Sequence, residues 1–110
     1  MTTKVLLLTV GLGLATAASL SAQQPADAAS LFAKTCASCH GAAGTPSAAM
    51  KTSMGVPDFA VAATLASVPD SVLRATLANG KGRMMPAYKT RLTAEQITAL
   101  VGYIRTLSKH

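Results

Sequence analysis

The chain opens with a short basic start, Met1-Thr2-Thr3-Lys4, and then an almost unbroken apolar run from Val5 to Ala18. Small residues follow, and Gln23-Gln24-Pro25 ends the run. This order of charge, apolar stretch and small residues is the layout of a secretory signal peptide. A spanning helix needs roughly 20 apolar residues. The run is shorter, which favours a cleaved leader over a membrane anchor. Cleavage after Ser21 or after Ala22 fits the small-residue pattern. The division read here is a leader over 1–22 and one domain over 23–110. Lys and Arg punctuate the remainder, so no second stretch is apolar enough to span.

Beyond a short linker, Asp27 reads as a helix N-cap, with Ala28, Leu31, Phe32 and Thr35 at helical spacing. This helix runs into Cys36. Residues 41–46, rich in Gly, Ala, Thr and Pro, read as loop. Ser47 caps a short helix that runs through Met54 and stops at Gly55. Val56-Pro57-Asp58 is a turn, and residues 59–65 form a helical turn or two. Ser67-Val68-Pro69-Asp70 starts the next helix, with Ser67 as cap and the acid near the positive end of the dipole. Val72, Leu73, Thr76 and Leu77 mark its buried face, and Asn79-Gly80 ends it. Residues 80–86 are loop. Thr93-Ala94-Glu95-Gln96 is a capping box. Ile97, Leu100, Val101 and Ile104 then follow the spacing of one helix face, with Arg105 and Lys109 near its negative end. No segment alternates long enough to be a strand and there is no internal repeat. The expected class is all-α, with a core of Leu31, Phe32, Leu73, Leu77, Leu92, Ile97, Leu100 and Ile104.

Composition sharpens this picture. Without the leader, fewer than 90 residues remain, with no Trp, two Phe and two Tyr in the whole chain. A domain that small buries little surface and commonly relies on a metal, disulfides or a cofactor. The net charge of +6 loses one unit with Lys4. A basic surface serves solubility or docking to an acidic partner. Nucleic acid is a poor candidate, since no basic run exists.

The chemistry gathers at Cys36-Ala37-Ser38-Cys39-His40, a C-x-x-C-H run and the attachment signature of c-type haem. Two thiols add to the two haem vinyl groups, the two intervening residues set their separation, and the adjacent His40 supplies the proximal ligand. Three other readings compete. Cys36 and Cys39 could pair as a disulfide in an oxidising compartment. A dithiol redox motif would need a βαβ setting, and none is visible. Structural zinc usually takes four Cys or His ligands, and beyond the motif only His110 remains. Haem is the favoured cofactor. Candidates for a sixth ligand are Met50, Met54, Met84 and Met85. Met84 and Met85 lie in a glycine-bearing loop between two amphipathic helices, and Pro86 restricts Met85 to extended geometry, which suits a side chain projected from loop to iron. Met85 is therefore chosen. A Met/His pair raises the reduction potential and fills both axial positions.

With these residues in view, the chain resembles a class I cytochrome c of the small bacterial monohaem kind. The matching pieces are Cys36-Ala37-Ser38-Cys39-His40-Gly41, then Asn79-Gly80-Lys81-Gly82 leading to Met85-Pro86-Ala87-Tyr88, and the closing helix from Leu92-Thr93 to Arg105. The doubled Met84-Met85 departs from the family's usual single Met. The resemblance implies three main helices and shorter turns around one covalently bound haem c, with iron held by His40 and Met85. It also implies a close crossing of the first and last helices, where Phe32 meets Tyr103 and Gly102 lets the backbones approach. A Pro carbonyl, with Pro46 as candidate, would fix His40, and Phe59 would reach the haem.

The function that follows is a periplasmic or secreted, monomeric single-electron carrier rather than an enzyme, with no small-molecule substrate. Its partners would be redox proteins with acidic docking patches, met by Lys34, Lys51, Lys81, Arg83, Lys89 and Arg91 around the haem edge. Alternatives are a haem subunit of a larger dehydrogenase or oxidase, a sensor or catalyst with an open distal site, and a haem-free dithiol protein.

Overall fold

The computed structural model describes residues 11, 13 and 24–108. The leader assigned to 1–22 lies, apart from Gly11 and Gly13, outside the described residues, as do Lys109 and His110. The described chain is helical: α1 Gln24–Thr35, α2 Ala37–His40, α3 Ala48–Met54, α4 Ala62–Leu65, α5 Asp70–Asn79 and α6 Ala94–Thr106. An antiparallel bridge pairs Lys81 with Met85. The all-α expectation holds, with α1, α5 and α6 as the long elements. Among the described residues no helix is long and apolar enough to cross a membrane.

Helix α6 is the centre of the packing, with α1 and α5 laid against it. Its apolar positions Ile97, Leu100, Val101 and Ile104 are all buried, as their three- and four-residue spacing requires. They join Phe32 and Cys36 from the first helical segment, Leu77 from α5, and Phe59 from the loop before α4 in one core. Leu31, Leu73 and Leu92 from the expected core pack at its edge, half buried. Tyr88 is buried as well.

The α1–α6 crossing is made by Phe32 against Tyr103, ring centroids 5.3 Å apart and tilted by 58°, within the range of favourable aromatic pairing. The expectation for Gly102 is corrected. Gly102 is exposed, and a Cβ built there would meet nothing within 4 Å. The small side chain buried on the α1 side is Ala28, one turn before Phe32.

Several local expectations follow their residues closely. The Ser47 hydroxyl accepts from Met50 N–H at 3.2 Å, and Gly55 closes α3 in the left-handed conformation. The capping box is complete: Thr93 Oγ1 accepts from Gln96 N–H (3.1 Å) and Gln96 Oε1 accepts from Thr93 N–H (2.9 Å).

Three helix assignments shift. Asp27 is not a cap, because α1 begins at Gln24 and the acid sits within the first turn. Pro25 suits that turn, where its missing N–H has no helical partner to lose. Ser67 does not cap α5. The residue before a proline is driven out of helical geometry, so Val68 holds the helix off until Pro69 becomes the N-cap and Asp70 the first helical residue. Val72 is 48% exposed. The face of α5 that meets the core carries Leu73 and Leu77, and successive helical residues point about 100° apart.

The C-terminal part of α6 is tied across the molecule. Arg105 Nε donates to Asp70 Oδ1 (2.9 Å) and Nη1 to the Leu65 carbonyl (2.8 Å). Nη2 donates to the Val68 carbonyl and lies 2.8 Å from Asp70 Oδ1. One planar guanidinium thus fixes the α4–α5 connection and the start of α5.

Candidate functional site

The helical path pauses at Cys36 and resumes as α2. Cys36 N–H still reaches the Phe32 carbonyl (2.8 Å), and His40 N–H reaches the Cys36 carbonyl (2.9 Å). Cys36, Cys39 and His40 are thereby held on one short helical segment anchored to α1. Gly41 ends α2 with φ 79°, and a Cβ there would lie 2.0 Å from the Thr45 carbonyl oxygen. Only glycine allows the chain to turn so sharply behind the histidine.

The two cysteines are not paired with each other; Cys36 is buried and Cys39 exposed. Burial pushes the Cys36 thiol above its ordinary value. Dithiol exchange chemistry favours a lowered thiol pKa in an electropositive setting, and Cys36 has the opposite environment. His40 is half buried, and burial holds its pKa below the usual histidine value. The imidazole is therefore neutral at physiological pH, the form that offers a lone pair to a metal. Its Nδ1 is buried with no hydrogen-bond partner. Pro46 is buried nearby in sequence, but its carbonyl accepts no bond from His40, so that expected link is not made.

The side chain against the histidine is Phe59. Its ring stacks on the His40 ring, centroids 4.6 Å apart and planes within 13°. Phe59 N–H donates to the Gly44 carbonyl at 2.8 Å. Next to it, Asp58 collects donors from Thr45 Oγ1 (3.2 Å), Lys51 Nζ (2.5 Å) and Ala60 N–H (3.1 Å). The Lys51 bond is the main cause holding the Asp58 carboxyl below its ordinary value. Lys51 is thus engaged in an ion pair within the fold.

The methionine loop hangs from the end of α5. Gly80 has φ 77°, and a Cβ there would lie 2.6 Å from the Met85 carbonyl oxygen. Lys81 N–H donates to the Met85 carbonyl (3.0 Å) and Met85 N–H to the Lys81 carbonyl (3.4 Å). Tyr88 N–H then donates to the Leu77 carbonyl (2.9 Å), tying the loop's exit back to α5. Met85 is half buried and packs on the core, whereas Met84 is 62% exposed. Of the other candidates, Met54 is exposed and Met50 half buried, both on α3. Arg91 lies over the Tyr88 ring, 5.2 Å from its centroid.

These donors fit a c-type haem: two thiols and a neutral imidazole on one segment, and a thioether on a separate core-facing loop. Residues 23–104 match the family described as cytochrome C oxidase, cbb3-type, subunit III. The chain belongs to this family. Its fold is the all-α cytochrome c fold, its cofactor is covalently bound haem c with iron, and its chemistry is electron transfer. It is 33% identical over 95 residues to the cbb3-type cytochrome c oxidase subunit FixP of Azorhizobium caulinodans, covering 81% of this chain and 31% of FixP. It therefore spans about a third of that relative's length. Among solved structures, the c-type cytochrome KustC0563 has 30% identity and a TM-score of 0.69, covering 74% of this chain and 98% of its own. The c-type cytochrome NirC, at 24% identity and TM-score 0.61, covers 80% of this chain and 98% of its own, and supports the fold.

The Phe59 stack, the Asp58 cluster and the burial of Tyr88 escape a reading of the sequence. The signal nearest to them is Val56-Pro57-Asp58, legible as a turn but not as a support for His40.

Proposed function

We propose that the chain is an exported, single-haem electron carrier. In this reading Cys36 and Cys39 would form the two thioethers, and His40 and Met85 would hold the iron. Bound haem c supplies one-electron chemistry at its iron. The chain's own residues would anchor the group covalently through Cys36 and Cys39, offer it the imidazole of His40, and offer the thioether of Met85 as a second ligand that would leave no place for oxygen or peroxide. The observation that carries the reading is the pairing of a half-buried, neutral His40 in a C-x-x-C-H segment with a core-facing Met85. The apolar run at residues 5–18 supports export to the periplasm, where covalent attachment prevents loss of the cofactor by diffusion.

The test is an optical spectrum of the exported protein, oxidised and reduced, with and without carbon monoxide. Sharp c-type bands indifferent to the gas are expected. Met85→Leu makes the reduced protein bind carbon monoxide, while Met84→Leu does not. Gas binding by the unsubstituted protein refutes Met85 ligation. Redox partners with acidic patches are expected to meet exposed Lys34, Lys81, Arg83 and Lys89, so that transfer rates fall steeply with salt. A flat salt response removes that part of the proposal.

A second reading, a haem domain seated in a larger oxidase, is favoured by the family's description and by FixP, an oxidase subunit. Gel filtration of the native material separates the two: elution near 10 kDa, roughly the mass of one such domain, favours the carrier.

A further inference from the structure

Two thioethers stand side by side at Met84 and Met85, and the fold treats them differently. The paired bonds between Lys81 and Met85 close residues 82–84 into a tight turn, in which Gly82 takes φ 61°. Met85, at the closed end, packs on the core. Met84, in the turn itself, is 62% exposed, more than any other large apolar side chain among the described residues. A Cβ on Gly82 would meet nothing within 4 Å, so the turn is open to solvent on that side as well. Met54, the last residue of α3, is 45% exposed, and Met50 is half buried.

A methionine sulfur with an accessible lone pair attacks one oxygen of a hydroperoxide. An S–O bond forms, the O–O bond breaks, and the second oxygen leaves with the proton as water or an alcohol. The sulfur gives up two electrons and the peroxide takes them. The product is a sulfoxide, which dedicated reductases return to the thioether. A flexible apolar side chain thereby becomes polar, which is disruptive in a packed core. At Met84 the added oxygen would meet water. At Met85 it would enter the core.

We infer that Met84 is a site of reversible sulfur oxidation by hydroperoxides, and that it takes up the oxygen atom while Met85 keeps its thioether. The sparing of Met85 as an iron ligand rests on the function proposed above. The preference for Met84 over Met54 does not, because it follows from exposure alone.

The experiment treats the oxidised, haem-loaded protein with graded hydrogen peroxide, in buffer and in concentrated urea, and maps the added oxygen by tandem mass spectrometry. Tryptic cleavage after Arg83 and Lys89 gives one peptide that holds both methionines, and its fragments assign the oxygen to one or the other. In the folded protein Met84 is expected to react several-fold faster than Met54, Met50 and Met85. In urea the four rates converge. At the dose that converts most of Met84, the reduced protein still ignores carbon monoxide, and Met84→Leu removes this uptake. Faster oxidation of Met54 or Met85 in the folded protein overturns the inference. So does a preference for Met84 that persists unchanged in urea, since the fold would then not be its cause. Carbon monoxide binding that grows in step with the Met84 sulfoxide overturns the sparing of Met85. Carbon monoxide binding before any peroxide is added refutes instead the proposed ligation, and leaves the order of Met84 and Met54 to decide the site.

Discussion

Removing the Arg105 guanidinium should weaken the fold by an amount set by two backbone carbonyls rather than by the ion pair. Asp70 is 56% exposed at its side chain and Arg105 33%. An exposed pair of this kind contributes about 0–1 kcal/mol. The Leu65 and Val68 carbonyls are part-buried and accept from a charged donor. Leaving a buried acceptor unpaired costs about 1–3 kcal/mol. Partial access to water puts each near the low end, so Arg105→Met should cost about 2–3 kcal/mol in all. Asp70→Asn should cost under about 1 kcal/mol. Arg105→Lys should fall between them, since a single ammonium cannot reproduce the fork that reaches three acceptors. The assay is guanidinium unfolding of the haem-loaded protein, followed by helical circular dichroism. In a domain of this size each kcal/mol moves the melting temperature by about 4–8 °C, so a drop of more than about 8 °C is expected for Arg105→Met. Equal losses in Arg105→Met and Asp70→Asn would refute the reasoning, because the ion pair would then carry the effect.

Further outcomes follow from the same geometry. Thr93→Ala should cost about 1 kcal/mol by chemical denaturation, because it opens the capping box at the start of α6. Gly80→Ala places a Cβ against the Met85 carbonyl at a backbone angle that side chains rarely adopt. It should destabilise by about 1–3 kcal/mol and make the reduced protein bind carbon monoxide more readily, measured by gas titration. Asp58 has a folded pKa below its unfolded value. Its contribution is therefore present at and above the ordinary carboxylate range and is lost as pH falls through the depressed folded value. Asp58→Asn should remove that portion of the acid dependence, seen as a flatter stability curve on the acid side.

What the sequence reveals divides by distance along the chain. The caps at Ser47 and Thr93 pair with N–H groups three residues away, so residue type and spacing are enough to find them. The core face of α6 is legible for the same reason, since helical period alone brings Ile97, Leu100, Val101 and Ile104 to one side. Ser67 misleads because two local rules conflict there, and the constraint that Pro69 puts on Val68 prevails. The C-x-x-C-H segment and the choice of Met85 over Met84 rest on adjacent residues; Met85 is half buried against the core and Met84 is exposed. The supports of the site lie beyond such reasoning. Arg105 reaches acceptors 35 to 40 positions away, and Phe59 meets His40 across an intervening loop and helix. Side-chain chemistry makes such partners possible but does not select them. Packing selects them, and Gly102 shows the converse: a small residue on the expected helix that stands exposed, while Ala28 on α1 is buried.

The antiparallel bridge between Lys81 and Met85 also governs how this chain can diverge in length. In a paired segment, a slip of one residue sends every following side chain to the opposite face. A single insertion or deletion between Gly80 and Met85 would turn Met85 outward and bring a neighbour such as Met84 or Pro86 inward. The loop can thus exchange residue types at Arg83 and Met84, but not freely at Gly82, whose φ of 61° favours glycine, and it cannot change its count.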